Sequence, residues 1–475
     1  MSYNNSEDYF ESNEFKATLK KFEEAERSGQ EIILDSEEFV DIAEYYYNHG
    51  KVNAAIEIIN RAIDLYPGAA APLLFKARMA LLDYNDINKA NLYADLINDK
   101  NDLEYFYLKA EIMINEGKIE EADNYLENKY EEIDDDEKDY FAIDTTALYI
   151  DYNIIGKANK WIKKSEAVDT VEYKEQYARI MMENGDYKKS QELFNELIDN
   201  NPYSTQYWNS LASSQFLCNN IEEAIQSCEF ALAINPENAT ALLNKANGLY
   251  NLGNYKEALK YYTRYCEQCH NDENGETLIG FCNMLLEDYL NAIKHFQIAE
   301  RLSAQNSPML TDIYKDWAFA LCRLGRIDES MTVLDKAQNI GCDQNELLVY
   351  RGSLLIGSGR FYESKKYFLK AIKDSDYSPN IVMKTAIVIY ESGNINVAYK
   401  MFQMLYKKYP NWTKGYAYYA AICYSLNKED EFLKNLKKAV IFSPEESKIV
   451  LGKLFPEDME TNYYYQYMLN KLGKS

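Results

Sequence analysis

Two consecutive stretches of equal length decide the fold: TQYWNSLASSQFLCNNIEEAIQSCEFALAINPEN at residues 205–238 and ATALLNKANGLYNLGNYKEALKYYTRYCEQCHND at residues 239–272. Aligned without gaps, they share small residues at the eighth position, Ala212 and Ala246, and at the twentieth, Ala224 and Ala258. Each stretch contains two apolar segments with helical spacing, so each predicts a pair of helices. A period of this length is typical of an array of helical repeats.

The same register extends from this pair in both directions along the chain. Four extra residues near Leu302–Leu310 separate two blocks of windows, and we expect a longer loop there. Windows open near Ser36, Ala70, Leu103, Asp139, Val171, Thr205, Ala239, Glu273, Thr311, Asn345, Pro379 and Thr413. The 475 residues therefore hold about twelve repeats.

Position-specific residue types give the pattern its identity. Small residues fill the eighth position at Ala43, Ala77, Ala110, Ala178, Ala212, Ala246, Gly280, Ala318, Gly352, Ala386 and Ala420, and proline stands near the window's end at Pro67, Pro202, Pro236, Pro410 and Pro444. Over roughly residues 36–446 the chain resembles the tetratricopeptide repeat. Residues 139–170, with Thr146 in the eighth position and no proline, and the last window, with Phe432 in the twentieth, depart from that pattern and are expected to pack less regularly.

The resemblance implies an all-α fold: a right-handed α-α superhelical solenoid of about twelve tetratricopeptide-type helix hairpins. We divide it into 1–35, a disordered start (Met1–Asn13) and an N-terminal capping helix (Phe15–Ala25); 36–170, acidic repeats; 171–310, central repeats; 311–446, C-terminal repeats; and 447–475, capping helices at Ser447–Leu454 and Thr461–Leu472. Terminal caps are expected because a stacked array leaves an apolar face open at each end.

Charge is uneven along the chain. Net charge is -25, and residues 1–200 carry 45 acidic and 22 basic side chains against 31 and 29 in residues 201–475. An acidic N-terminal arm repels nucleic acid and anionic lipid and favours a basic partner. No apolar run reaches the length of a membrane span, and the polar start Met1–Phe10 is unlike a signal peptide, so the sequence predicts a cytoplasmic protein.

The resemblance also implies where a partner binds, because in this family the first helix of each hairpin lines a concave groove. Acidic and aromatic groove positions are expected at Glu37, Glu44, Tyr47, Glu104, Tyr107, Glu111, Glu172 and Glu175. The partner-binding groove itself is predicted at Asn209, Ser213, Phe216, Asn247, Tyr250, Asn251, Phe281, Lys315, Phe319 and Arg323. The family's carboxylate clamp is absent, since Leu243 stands where its lysine is needed before Asn247.

One cysteine motif suggests chemistry. Cys266, Cys269 and His270 match the CxxCH pattern of haem attachment, and with Cys282 they are candidate zinc ligands. Haem attachment occurs outside the cytoplasm, and a second CxxC pair for zinc is missing. No cofactor is therefore expected, and the structural interpretation is two cysteines at the end of a helix.

The sequence thus favours a non-catalytic scaffold that binds a partner protein or peptide in its concave groove. Two alternatives stay open: a glycoside-processing enzyme built on a helical toroid, which needs paired carboxylates in a closed ring, and a zinc-binding repeat protein through Cys266, Cys269 and His270. A monomer is favoured. The partner, the process, the binding face and any dimerisation through the terminal helices are left open.

Overall fold

In this computed structural model, residues 9–10, 12–29, 32–270, 272–304 and 307–474 are described. Within those ranges the chain forms 27 α-helices and no β-strand. The residues fall into two compact units, Met1–Cys282 (unit 1) and Asn283–Ser475 (unit 2), and the boundary lies inside the helix Glu273–Leu285. Our finer division of the repeats stays a prediction.

Unit 1 is a series of antiparallel helix pairs. Its helices are α1 (Asn13–Ser28), α2 (Ser36–Asn48), α3 (Val52–Leu65), α4 (Ala70–Leu82), α5 (Ile87–Leu96), α6 (Leu103–Asn115), α7 (Ile119–Glu132), α8 (Lys138–Asp151), α9 (Ile155–Trp161), α10 (Val171–Glu183), α11 (Tyr187–Asn200), α12 (Thr205–Leu217), α13 (Ile221–Ile234), α14 (Ala239–Asn251), α15 (Tyr255–Gln268) and α16 (Glu273–Leu285), the last crossing the boundary.

Unit 2 continues the pattern. Its helices are α17 (Tyr289–Leu302), α18 (Leu310–Arg323), α19 (Ile327–Asn339), α20 (Gln344–Gly357), α21 (Phe361–Asp374), α22 (Pro379–Glu391), α23 (Ile395–Lys408), α24 (Tyr416–Ser425), α25 (Glu429–Phe442), α26 (Pro444–Leu451) and α27 (Tyr464–Lys471). No helix in the described part of the chain combines the length and the apolar character needed to cross a membrane.

The predicted register is confirmed. Helices α10, α12, α14 and α16 begin at the residues predicted to open their windows, and the hairpins from α2–α3 to α24–α25 number twelve. The connection after Leu302 has seven residues, against four between several neighbouring hairpins, as expected; the connections before α10 and α24 are as long or longer. One window opening is wrong: α24 begins at Tyr416 instead of Thr413, because Gly415 takes a left-handed backbone (φ 84°) immediately before it.

Small residues let the helices of each hairpin pack closely. Ala212, Ala224, Ala246 and Ala258 are fully buried. At Gly352 the approach is closer still, since an added Cβ would lie 2.3 Å from the ring of Phe368. Substituting a larger residue at these positions would force the helices apart.

The turn inside each hairpin needs a left-handed residue. Glycine supplies it in seven hairpins, for example at Gly253 (φ 77°). Asn219 (φ 63°) and Glu287 (φ 60°) take the same conformation at the equivalent turns. Glutamate is unusual there because its Cβ crowds the following carbonyl oxygen in a left-handed backbone.

The irregular hairpin predicted at residues 139–170 is short in its second helix. Helix α9 ends at Trp161 and passes into a 3₁₀ turn, Ile162–Lys164. The hydroxyl of Thr146 donates to the carbonyl of Ala142, so its polar atom is satisfied inside the helix. Buried Asp123 accepts from the Trp161 indole at 2.8 Å and ties α9 to α7.

Helices flank the hairpins at both ends, α1 before α2 and α26 and α27 after α25, and their role as caps stays a prediction. The rings of Phe455 and Tyr464 stack at 3.7 Å, and both residues belong to the apolar cluster that contains the last hairpin. The disordered start is wrong for its described residues, since Phe10 is buried 4.8 Å from the Phe15 ring and Ser12 caps α1. Apolar contact orders these residues; 1–8 and 11 lie outside the described residues.

Candidate functional site

A cavity of about 550 Å³ opens in unit 1 between the first helices of neighbouring hairpins, α2 and α4. We call it the N-terminal cavity. Its lining mixes acidic side chains with one arginine and an apolar wall: Glu37, Asp41, Glu44, Asp83, Asp102, Glu104, Arg78, Val40, Leu74, Phe75, Met79 and Leu82, together with Tyr9, Phe10, Ser36, Tyr47, Asn48, Ala70 and Ala71.

Among the described residues that line the cavity, Arg78 on α4 is the one with a positive charge. Its guanidinium lies 3.1 Å from a Glu104 oxygen and 3.0 Å from a Glu111 oxygen. Although burial raises the pKa of Glu104, the nearby Arg78 charge brings that pKa below its usual value. The arginine is therefore committed to two carboxylates of α6 and also ties α4 to α6.

Glu44 on α2 is in a different situation. It is half-buried, and among the described residues it has no hydrogen bond or ion pair. Burial, with a further contribution from Asp41, raises the pKa of Glu44 to about 7. Asp41 is also raised in pKa, mainly by burial, while it accepts a 2.8 Å hydrogen bond from the Tyr9 hydroxyl. A cation placed here would relieve both carboxylates.

An apolar wall faces these acids. Leu74 and Met79 are buried, and the ring of Phe75 lies 6.0 Å from that of Tyr47, edge to face. The Tyr47 hydroxyl donates to the Asp83 carboxylate at 2.7 Å. Acid and apolar surface together suit a side chain with an aliphatic stem and a cationic end, such as lysine.

Part of this cavity was predictable. Glu37, Glu44, Tyr47 and Glu104 were expected to face the groove, and all four line the cavity. Of the other four expected there, Tyr107 and Glu111 are buried, Glu175 is buried and accepts from Gln206 at 2.7 Å, and Glu172 is exposed. The prediction missed Asp41 and Arg78. Arg78 could have been found from the sequence, because it is an arginine on the groove face of an acidic segment.

Two of the ten predicted partner-binding residues are used internally. Asn209 is buried, and its amide donates to Asn238 at 3.0 Å, which in turn caps helix α14. Asn247 accepts a 2.7 Å hydrogen bond from the hydroxyl of buried Tyr262. Both amides therefore connect helices.

Other predicted residues are half-buried within unit 1. The Ser213 hydroxyl donates to the Asn209 carbonyl one turn earlier, and Phe216 packs against the cluster of Ala212, Ala224 and Cys228. Tyr250 lies edge-on to Tyr255 at 5.3 Å, and Phe281 is half-buried. Asn251, by contrast, is exposed.

The last three predicted residues lie on α18 in unit 2. Lys315 is 3.7 Å from Asp312, one turn away. Phe319 and Arg323 are exposed and line a cavity of about 390 Å³, with the Arg323 guanidinium 5.5 Å from the Tyr289 ring centre. Of the ten residues, Asn251, Phe319 and Arg323 are the exposed ones.

The metal candidate finds no support. All four side chains are described, and in the described part of the chain no group of three or more His, Cys, Asp or Glu side chains is placed to hold a metal ion. Burial raises the pKa of the Cys266 and Cys282 thiols to about 12, which disfavours the thiolates that zinc requires. Cys282 packs with Ala246, Ala258 and Tyr262 as an apolar residue.

Known proteins match the central hairpins. Residues 178–236 and 219–279 match family models described as tetratricopeptide repeat. Anaphase-promoting complex subunit 7 of Dictyostelium discoideum is 23% identical over 178 residues, which are 36% of this chain and 29% of that protein. The chain thus spans less than a third of that relative's length.

Solved structures give lower likenesses. YrrB, a tetratricopeptide-repeat protein with an unusual peptide-binding site, is 18% identical over 38% of this chain and 91% of its own, with a TM-score of 0.34. MamA from Desulfovibrio magneticus RS-1 is 15% identical over 37% and 97%, also with a TM-score of 0.34. These values are too low to bear on function.

The family matches cover the central hairpins, and successive helix hairpins follow from Ser36 to Phe442, many of them with a small residue buried at the eighth position. The chain contains tetratricopeptide repeats at residues 178–279, within a longer series of helix hairpins.

Proposed function

We propose that this chain is a non-catalytic scaffold that binds a partner protein, and that a basic segment of the partner enters the N-terminal cavity. The observation that carries the proposal is Glu44: a half-buried carboxylate that forms no ion pair or hydrogen bond with the described residues, next to Asp41 and an apolar wall. Carboxylates in such surroundings gain most from a cation brought by a ligand.

A scaffold fits this geometry better than an enzyme. Glu104 and Glu111 come together in unit 1, but both are held in ion pairs by Arg78. Glycoside hydrolysis needs two carboxylates on opposite sides of a sugar, whereas Asp41 and Glu44 lie one turn apart on the same helix. The cytoplasmic location and the monomeric state stay predictions.

The cavity is tested with a short peptide of alternating lysine and leucine, labelled for fluorescence anisotropy. Glu44→Gln combined with Asp41→Asn keeps the shape of the cavity and removes both acids. We expect this double variant to bind the peptide about tenfold more weakly, because buried charge pairs contribute more than exposed ones. A lysine–serine peptide should bind the unmodified protein more weakly than lysine–leucine, since it lacks apolar side chains for Leu74 and Phe75.

The matched control is Glu121→Gln with Glu131→Gln, two exposed acids of unit 1 outside the cavity. It removes the same charge and should change affinity less than twofold, as expected for exposed charges. Equal losses in the two double variants would mean that the peptide follows net charge, and the cavity would be rejected as a site.

The predicted central groove is better tested by substituting Asn251 than by substituting Asn247. Asn247→Ala would leave the buried Tyr262 hydroxyl without its acceptor and so disturb packing. Asn251→Ala changes an exposed side chain of the same helix. If a partner retained from lysate by the intact protein is lost with Asn251→Ala while the fold is preserved, this groove binds it; unchanged retention argues against the groove.

A further inference from the structure

A second concavity lies in unit 2, on helices that the groove prediction does not use. It has a volume of about 770 Å³ and lies between α23 and α25, the second helices of the last two hairpins, with α24 contributing Tyr416 and Tyr419. Four lysines line it: Lys400, Lys407, Lys434 and Lys438. We call it the lysine groove.

The charge of the lysine groove is not neutralised from within. Lys400, Lys407 and Lys434 are exposed and form no ion pair with any described residue. Some lysines of unit 2 do pair with acids, as Lys384 does with Glu346 and Lys336 with Glu300. Three free ammonium groups around one concavity favour an anionic ligand.

The acid that lines the lysine groove already has partners. Glu431 lies 3.3 Å from the ammonium of Lys428 and accepts from the Tyr399 hydroxyl at 2.7 Å. It therefore does not cancel the charge of Lys400, Lys407 and Lys434. From Ile395 to Phe442 the chain has eight lysines and three acidic residues, a local balance of +5 in a protein of net charge -25.

The floor of the lysine groove is aromatic. Tyr406 and Tyr416 stack at 4.3 Å and nearly parallel, and the Lys438 ammonium donates to the Tyr416 hydroxyl at 3.0 Å. Met404, at the same surface, is 69% exposed. A ligand that fits carries both carboxylates for the lysines and apolar side chains for this floor.

We propose that the lysine groove binds an acidic, amphipathic segment of a partner protein. The net charge of -25 favours this ligand over nucleic acid, because a long polyanion would be repelled by the rest of the chain. A short segment places its carboxylates at the lysines and its apolar side chains on Met404 and the tyrosine stack. This site is separate from the N-terminal cavity and does not depend on the function proposed there.

The test uses a labelled peptide of alternating glutamate and leucine, with the intact protein. Lys400→Glu combined with Lys434→Glu reverses two exposed charges, one on each helix of the groove. We expect at least about a tenfold loss of affinity, since two attractions become repulsions. The control Lys365→Glu with Lys366→Glu makes the same charge change on exposed residues of α21, outside the groove, and should cost less than about threefold.

Competition identifies the ligand class. A glutamine–leucine peptide should fail to displace the probe, and so should a single-stranded oligonucleotide at equal charge concentration. Displacement by the oligonucleotide, no binding of the acidic probe, or equal losses in both double variants would overturn the proposal. Self-association abolished by Lys400→Glu with Lys434→Glu would also overturn it, since the occupant would then be a second copy of this chain.

Discussion

The N-terminal cavity and the lysine groove carry opposite charge, and they differ further in how far that charge is removed from water. In the cavity, Glu44 and Asp41 are half-buried, and burial raises the pKa of each. In the groove, Lys400, Lys407 and Lys434 are exposed. The same repeat therefore supports two kinds of electrostatic surface, one sensitive to protonation and one sensitive to salt.

The positions of the two surfaces explain this difference. The cavity lies between first helices, α2 and α4, where neighbouring hairpins leave Asp41 and Glu44 half-buried. The lysine groove lies mainly on second helices, α23 and α25, whose long side chains extend into solvent. The burial of the charged side chains, and not their number, therefore decides how strongly each surface affects the free energy of folding.

Removing the arginine of the cavity should have the largest effect. Arg78→Met deletes a cation that is 17% exposed and removes its ion pairs with Glu104 and Glu111. We expect unit 1 to lose about 3 kcal/mol, the usual cost of breaking a buried pair from one side. Amide hydrogen exchange of peptides from α4 and α6 measures the loss locally, which suits a repeat array that need not unfold as one body.

The exposed pair Arg27–Glu23 supplies the comparison for Arg78. Its arginine side chain is 78% exposed, so Arg27→Met should change local stability by less than about 0.5 kcal/mol. If the two substitutions cost the same, burial would not be the property that separates the cavity from the exposed surface.

Glu44 predicts a pH dependence of stability. Its pKa in the folded chain is about 7, above that of the unfolded chain, so the folded state holds a proton that the unfolded state releases. Stability from this group is therefore lost as pH rises toward and through 7. Glu44→Gln removes the effect, and its advantage over the unmodified protein should grow by about 2–3 kcal/mol between pH 5 and pH 8.

The measurement for Glu44 is hydrogen exchange in α2 and α4 at both pH values, with Glu37→Gln as control. Glu37 lines the same cavity but is exposed. An advantage of Glu44→Gln that does not change with pH would show that Glu44 keeps an ordinary pKa. The basic peptide should bind more tightly at pH 8 than at pH 6, because it needs the ionised carboxylate.

Ionic strength should weaken peptide binding at the two surfaces to different extents. Between low and physiological ionic strength, binding of the glutamate–leucine peptide to the lysine groove should weaken by about tenfold, because the charges of the groove are exposed to screening. Binding of the lysine–leucine peptide to the cavity should weaken less, by about threefold, because Glu44 is half-buried. Anisotropy titrations measure both, and parallel salt dependences would contradict the difference in burial.

Helix boundaries were predictable because they depend on local residue types. A small residue at Ala246, a glycine at Gly253 and a proline at Pro236 each act on their own turn or on the helix packed against it, so their spacing predicts where helices begin. The opening that was wrong, Thr413, lies two residues before Gly415, whose left-handed backbone delays the helix.

It was less predictable which polar side chains are available to a partner, because this depends on contacts between helices. Asn209, Asn247 and Asn251 are the same residue type on first helices, yet only Asn251 is exposed. The other two are bonded to Asn238, 29 residues away, and to Tyr262, 15 residues away. A pattern of positions shows which face a residue occupies and does not show whether another helix supplies a partner.

The smallest expected effect compares two contributions of one residue to stability: its charge and the strain in its backbone. Glu287 takes a left-handed conformation (φ 60°) at the turn between α16 and α17, where other hairpins have glycine. Glu287→Gly should raise thermal stability by about 0.5–1 kcal/mol, since glycine relieves the strain by more than its added chain entropy costs. Glu287→Ala removes the same charge and keeps the strained backbone, so it should give no gain. Equal stabilisation by both variants would assign the effect to the acidic charge. Exposed charges would then contribute more to the stability of this protein than the comparison of the cavity with the lysine groove predicts.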